Sequence, residues 1–363
     1  MPKEGGAGVL AGKKALDAPL GSVPAPAPSA SRLSPLQVVL TSLLALALLA
    51  FFLWQAPLAQ VAETLKRVQL GWVAAAAGFS LLSYALRALR WGAILQPVGT
   101  APAPALLGCT AAGFAINTIL PGRLGEVVRP LLLARKTGLP AAATLASIFT
   151  ERLIDLATLL AVFAAGVAMA SERLAPAAAP ALRPTAFAAA LGLAAAFAAV
   201  LVLLRFRRTA VPATARLAPK RWRERAERFL DHLLDGLEAV RSLRRLALLS
   251  AWSAAVWGTA ILQIDLLARG FGLSLGFPVS AVVIGVSVIG LAVPTPAGVG
   301  SFHAAIQFAL ATLLGVDLAT ATAFAIVHHA VCFFPITVAG LGYMASVGFR
   351  PSAAAELAAR REE

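Results

Sequence analysis

Charge is scarce in this sequence. Asp, Glu, Lys and Arg make up only 13% of its 363 residues, against roughly 25% in soluble domains. With 59% hydrophobic residues and a mean hydropathy of +0.82, it has too few polar side chains to cover a water-facing surface. An ordinary soluble domain is excluded, and the bilayer is the solvent for most of the chain. Acidic residues are the rarer sign, 17 against 31 basic, for a net charge of +14. On a soluble domain that balance would point to nucleic acid. Here the cations lie mainly between apolar runs, the pattern that orients membrane helices, so no nucleic-acid partner is expected. Cysteine is almost absent: Cys109 and Cys332 sit in separate apolar stretches more than 200 residues apart. That excludes a disulfide framework and leaves both as packing residues. Nor is there a Ser/His/Asp set, a metal-ligand cluster or a nucleotide loop, so neither an enzyme active site nor a cofactor is expected.

What the chain has in abundance is helix-length apolar sequence. Residues 1–35 are rich in Pro, Ala, Gly and Ser and carry Lys3, Lys13, Lys14 and Arg32, which reads as a disordered cytoplasmic tail. Leu36 to Trp54 is long for a signal-peptide core and is followed by many more apolar segments, so it reads as a retained first helix. A hydrocarbon core of about 30 Å needs roughly 20 apolar residues. Six segments meet this: 36–54, 71–95, 140–170, 184–204, 246–268 and 318–348. Two further regions, 104–137 and 279–314, are broken by Pro121-Gly122-Arg123-Leu124-Gly125 and by Pro294-Thr295-Pro296-Ala297-Gly298-Val299-Gly300. Each half is short for a span, which favours helix-turn-helix hairpins that re-enter from one side, although two full crossings would give the same loop parity. The predicted fold is therefore an all-α polytopic membrane domain over 36–348, with about six spanning helices and two re-entrant hairpins.

Between Arg205 and Arg245 there are 12 Lys or Arg against 5 Asp or Glu, which places this loop in the cytoplasm. Counting from it puts the N-terminus and the 349–363 tail on the same side, in a bacterial cytoplasmic membrane. Within the loop, Trp222, Phe229, Leu233, Leu237 and Val240 form an amphipathic pattern. It reads either as a helix on anionic lipid headgroups or as a solvated loop whose charges fix orientation.

The two broken regions carry the same order of features. Gly138 precedes Glu151 by 13 residues and Gly315 precedes His328 by 13, so Glu151-Arg152 corresponds to His328-His329. With the hairpins entering from opposite sides, the copies form an inverted repeat, a recurrent transporter plan.

The first copy also concentrates charge. Asn117 is followed by Arg123, Glu126 and Arg129, then by Glu151, Arg152 and Asp155 inside an apolar helix, and helical spacing puts each trio on one face. Six unpaired charges at depth would cost about 15 to 20 kcal/mol on insertion scales. They must pair or line a wet cavity. One reading is ion-pair glue between hairpin and long helix. The other is a pocket for an anionic headgroup, in which arginine forks bind phosphate and half-helix N-termini add backbone donors. In the second copy His303, His328 and His329 read as a proton relay or as interhelical hydrogen bonding; His328 and His329 point to different faces, which argues against a metal site. Asp265, Gln263 and Arg87 are lesser cavity-lining candidates.

Asn117-Thr-Ile-Leu-Pro-Gly-Arg-Leu-Gly-Glu126, with Arg129 and Glu151-Arg152-Leu-Ile-Asp155, resembles the signature of the lysylphosphatidylglycerol synthase/flippase transmembrane family. Pro296-Ala-Gly-Val-Gly300 resembles that family's second turn. The resemblance covers about residues 36–348 and implies a helical flippase-like domain. The best-known members carry aminoacylated phosphatidylglycerol to the outer leaflet, and other relatives are linked to hopanoids or isoprenoid-linked sugars. Two departures stand out: Ser301-Phe302-His303 follows the second turn where an acidic residue is usual, and His328-His329 stands where one arginine is more familiar. About 15 residues follow 348, so no synthase domain and no aminoacyl transfer are expected of this chain. The expected function is movement of a lipid or lipid-linked anionic substrate between leaflets, with a phospholipid or isoprenoid-linked lipid as partner and a homo-oligomer left open. The alternative is a membrane-embedded transferase or accessory subunit for lipid-linked glycan or envelope-lipid synthesis.

Overall fold

A computed structural model describes residues 35–348, apart from 55, 121, 122, 294 and many positions between 177 and 242. The two terminal tails, the turn residues Pro121 and Gly122, most of the 184–204 span and most of the amphipathic pattern in the basic loop lie outside the described residues. Those described are helical, with no strand among them.

The helices are α1 (Pro35–Trp54), α2 (Leu58–Arg67), α3 (Leu70–Leu95), α4 (Ala103–Ile119), α5 (Gly125–Thr137) and α6 (Ala141–Ala170), then α7 (Arg207–Ala215), α8 (Leu243–Gly270), α9 (Gly276–Ala292), α10 (Ser301–Phe308) and α11 (Leu318–Ser346). By length and composition α3, α6, α8 and α11 can each cross a bilayer; α1 and α2, which meet at a bend of 86°, make at most a fifth. Four of the six spans expected from sequence thus appear as single long helices. The first is continued by α2, a short helix with Lys66 and Arg67 in its last turn, and the fourth falls mostly on undescribed residues.

The long helices follow the rule for a lipid solvent rather than for water. Phe149, Leu153 and Leu156 on α6 and Phe334, Val338 and Leu341 on α11 face outward, while arginines and carboxylates are buried inside. Two of the long helices, α3 and α8, pack along each other. Gln69 N–H donates to Gly270 O at 3.0 Å, Ser83 Oγ–H to Val256 O at 3.1 Å and an Arg90 Nη1–H to Ser253 Oγ at 3.1 Å. Residue numbers rise along α3 as they fall along α8, so the pair is antiparallel over its whole length.

Both broken regions fold as helix-turn-helix units. In the first, α4 and α5 lie so close that a Cβ on Gly125 would stand 1.8 Å from Gly113 O; only glycine permits this approach. Asn117 Oδ1 accepts the Gly125 N–H at 2.7 Å and holds the turn shut. Gly99 before α4 touches Leu139 after α5, so the unit begins and ends at one end of the molecule. In the second, α9 leads through a single 3-10 turn at Pro296–Gly298 into α10. Ala297, Gly298 and Gly300 have φ of 54°, 69° and 84°, so the reversal is made in left-handed backbone. A π-helical stretch, Ala309–Leu313, continues α10. At the far end Arg173 donates to Leu275 O and Ser274 O and Ala175 N–H to Leu313 O, so this unit also begins and ends at one end. The two units are linked where exposed Arg123, in the first turn, donates to Leu291 O near the end of α9.

Candidate functional site: a buried arginine cluster

Three helices of the first half converge on a set of charges. α3 contributes Arg87 and Arg90, one turn apart; α5 contributes Arg129; α6 contributes Glu151, Arg152 and Asp155. Asp155 receives Arg87 Nη1 on Oδ2 and Arg90 Nη2 on Oδ1, each at 2.6 Å. Glu151 receives Arg129 Nη2 on Oε2 at 2.8 Å and Arg152 Nη2 on Oε1 at 3.0 Å, with Arg90 Nη2 at 3.7 Å from the same oxygen. Arg152 Nη1 also stands 3.6 Å from Asp155 Oδ2. The Arg129 guanidinium lies over the Trp91 ring at 4.0 Å, and Trp91 Nε1–H is anchored on Ser147 Oγ at 2.8 Å. An aromatic face beneath a guanidinium adds attraction without neutralising it.

Arg90, Arg129, Glu151 and Asp155 are buried, whereas the Arg152 side chain keeps 37% of its surface exposed. Four guanidiniums meet two carboxylates, so the ion-paired set carries two positive charges in excess. Such an excess at depth is stable only if something compensates it.

The sequence-predicted residues do not all come together. Arg129, Glu151, Arg152 and Asp155 form the cluster as one unit. Glu126, half-buried near the start of α5, acts electrostatically on Arg152 without forming an ion pair among the described residues. Arg123 is separate: it sits in the turn with φ 54° and its guanidinium meets Leu291 O rather than any acid. Asn117 uses its side-chain oxygen on Gly125. Asn117 thus closes its own hairpin, whereas Arg123 ties that hairpin to the second one. Gly125, Pro296, Gly298 and Gly300 lie at or beside the turns, as expected. Arg90 is the member that the sequence reading missed. It stands one helical turn from Arg87 and beside Trp91, and that spacing is its signal in the sequence.

The histidines form a different kind of cluster. His303 and His329 stack with ring centroids 4.5 Å apart, and His329 stacks on Phe333 at the same distance. Phe302 contacts His328 and His329, and Phe52 of α1 contacts His303. His329 Nε2 pairs with Ala297 O at 3.0 Å and His328 Nε2 with Gln263 Oε1 at 3.3 Å. Among the described residues no three His, Cys, Asp or Glu side chains are placed to hold a metal ion. Asp265, by contrast, belongs to neither cluster; it caps Gly276 N–H and pairs with Arg269.

Comparison with known proteins fits a lipid-embedded domain. The chain is 26% identical over 352 residues to "Glycosyltransferase AglD" of Haloferax volcanii, an alignment covering 88% of this chain and 55% of that protein. It thus spans about half the length of the curated relative. The family model for the "Lysylphosphatidylglycerol synthase TM region" matches residues 38–340. With its long apolar helices, the chain is a multi-pass membrane protein and belongs to the lysylphosphatidylglycerol synthase transmembrane-region family.

Proposed function

We propose that this protein moves a lipid or lipid-linked anionic substrate between the leaflets of the bilayer, as a transporter rather than an enzyme. The observation that carries this reading is the arginine excess. In a medium without water, two surplus guanidinium charges on three packed helices are costly as glue, because an equal number of acids would hold the helices at lower cost. They are useful as a receptor for an anion entering from the lipid.

An inverted repeat supports a moving site. The shift that takes Gly138 onto Gly315 also takes α6 onto α11 to within one residue, Gly113 onto Gly290 and the start of α5 onto the start of α10 to within one residue. It takes Arg123 onto Gly300, both with positive φ. Contacts exchange as a two-fold axis requires. Tyr343 of α11 packs on Gly108 of α4, and Phe163 of α6 packs on Gly285 of α9. Because α3 and α8 are mates under this shift and run antiparallel, the axis is perpendicular to them, in the plane of a membrane they span. Such copies can exchange roles between the two sides. With the basic 205–245 segment in the cytoplasm, the arginine cluster belongs to the inner half of a bacterial cytoplasmic membrane. Both termini are then cytoplasmic, and the basic loop lies on anionic headgroups. A membrane phospholipid or an isoprenoid-linked lipid is the substrate class.

A second reading, a transferase or accessory subunit for lipid-linked glycans, is favoured by the name of the Haloferax volcanii relative. A leaflet-resolved assay in proteoliposomes separates the two. Wild type and Arg152→Ala are compared with anionic, aminoacylated and isoprenoid-phosphate probes. The transport reading requires wild type to move a probe unchanged in mass and the folded variant to fail. Products of altered mass without movement sink it in favour of the transferase.

A further inference from the structure

The cluster specifies the charge of its ligand. All four carboxylate oxygens of Glu151 and Asp155 already accept from arginines. Three buried donors nevertheless remain unfilled, the Nε–H groups of Arg90, Arg129 and Arg152. Buried donors of charged groups are nearly always satisfied, and here the described residues supply no further acceptor. Glu126 acts on Arg152 by charge alone and fills none of these donors, since Arg152 spends its Nη groups on Glu151 and Asp155. What is missing is a group with several acceptor oxygens and two negative charges.

We infer that this site takes a lipid phosphate bearing two charges, a monoester or a diphosphate diester on a long apolar chain, in preference to the singly charged phosphodiester of ordinary phospholipids. A monoester above its second pKa of about 6 presents three oxygens and nearly two charges. A phosphodiester presents two free oxygens and one charge, leaving one guanidinium uncompensated. Entry is past Arg152, the one half-open member of the cluster. That the ligand is a lipid rests on the transport reading above; the charge preference rests on the cluster alone.

The test uses the full chain in nanodiscs of zwitterionic lipid at pH 8, titrated calorimetrically with farnesyl phosphate, its methyl phosphodiester, farnesol and inorganic phosphate, with empty nanodiscs as reference. Farnesyl phosphate is expected to bind about tenfold or more tightly than the diester, as an extra charge in a medium of reduced dielectric requires. Arg152→Gln is expected to erase that preference. Glu126→Gln, which breaks no ion pair, provides a second variant should the first not fold, and is expected to tighten farnesyl phosphate. Equal affinity for monoester and diester, or no response to either variant, overturns the inference; inorganic phosphate binding as tightly as farnesyl phosphate overturns its lipid part. Movement of a phosphodiester lipid without monoester preference leaves transport standing and removes this proposal. Monoester preference without movement of any probe does the reverse.

Discussion

Glu151-Arg152 and His328-His329 are counterparts in the proposed repeat, and their surroundings could hardly differ more. Around the first pair, four arginines and two carboxylates form a hydrogen-bonded lattice across α3, α5 and α6. Around the second, the positions that match Arg87, Arg90 and Arg129 are Ile264, Leu267 and Ile306, all fully buried, and stacked rings replace ion pairs. The two regions thus differ in what holds them. The first concentrates ion-paired charge. Around the histidines, ring contacts and single hydrogen bonds hold the helices, and the ion pair of Asp265 with Arg269 stands apart from them.

That contrast can be broken most sharply at Asp155. Asp155→Ala strips Arg87 and Arg90 of their principal acid and is expected to cost about 3–5 kcal/mol, the range for uncovering a buried charge; thermal unfolding in detergent would show it as a large fall in Tm. Gly125→Ala comes next. Its Cβ would strike Gly113 O, so α4 and α5 must separate, at about 1–3 kcal/mol for overpacking and with loss of movement in the leaflet assay. Arg129→Met tests the arginine excess directly. Glu151 retains Arg152 and Arg90, so stability should fall by only about 1–2 kcal/mol while probe movement is lost. If removing the arginine proved as destabilising as removing the acid, the cluster would be glue. The smallest effect belongs to the histidine cluster. His328→Phe preserves the ring contacts with Phe302 and Phe324 and forfeits one 3.3 Å hydrogen bond to Gln263, so it should cost about 1 kcal/mol and leave movement near the wild-type rate.

Much of this site could be read from spacing. Glu151, Arg152 and Asp155 fall on one helical face, and Arg129 lies one hairpin away, so their convergence followed from period and proximity. Arg123 looked equivalent to Arg129 because it sits two turns earlier on the same pattern. The helix, however, does not begin until Gly125, and a residue in a turn with positive φ points elsewhere. Arg90 was legible as the i+3 partner of Arg87, yet an arginine near the end of a span usually snorkels to the surface. Only the position of α6 reveals that this one turns inward.

By itself, the sequence determined the solvent, the helical class, the two breaks at Pro and Gly and the concentration of charge in the first half. Each of these depends on local composition or on a period within one segment. Tertiary structure decided which charges meet, which arginine ties the two hairpins instead, and that three guanidinium donors stay unfilled. Pairings such as Arg90 with Asp155, 65 residues apart, depend on how whole helices cross, and no period along one helix encodes the position of its neighbour.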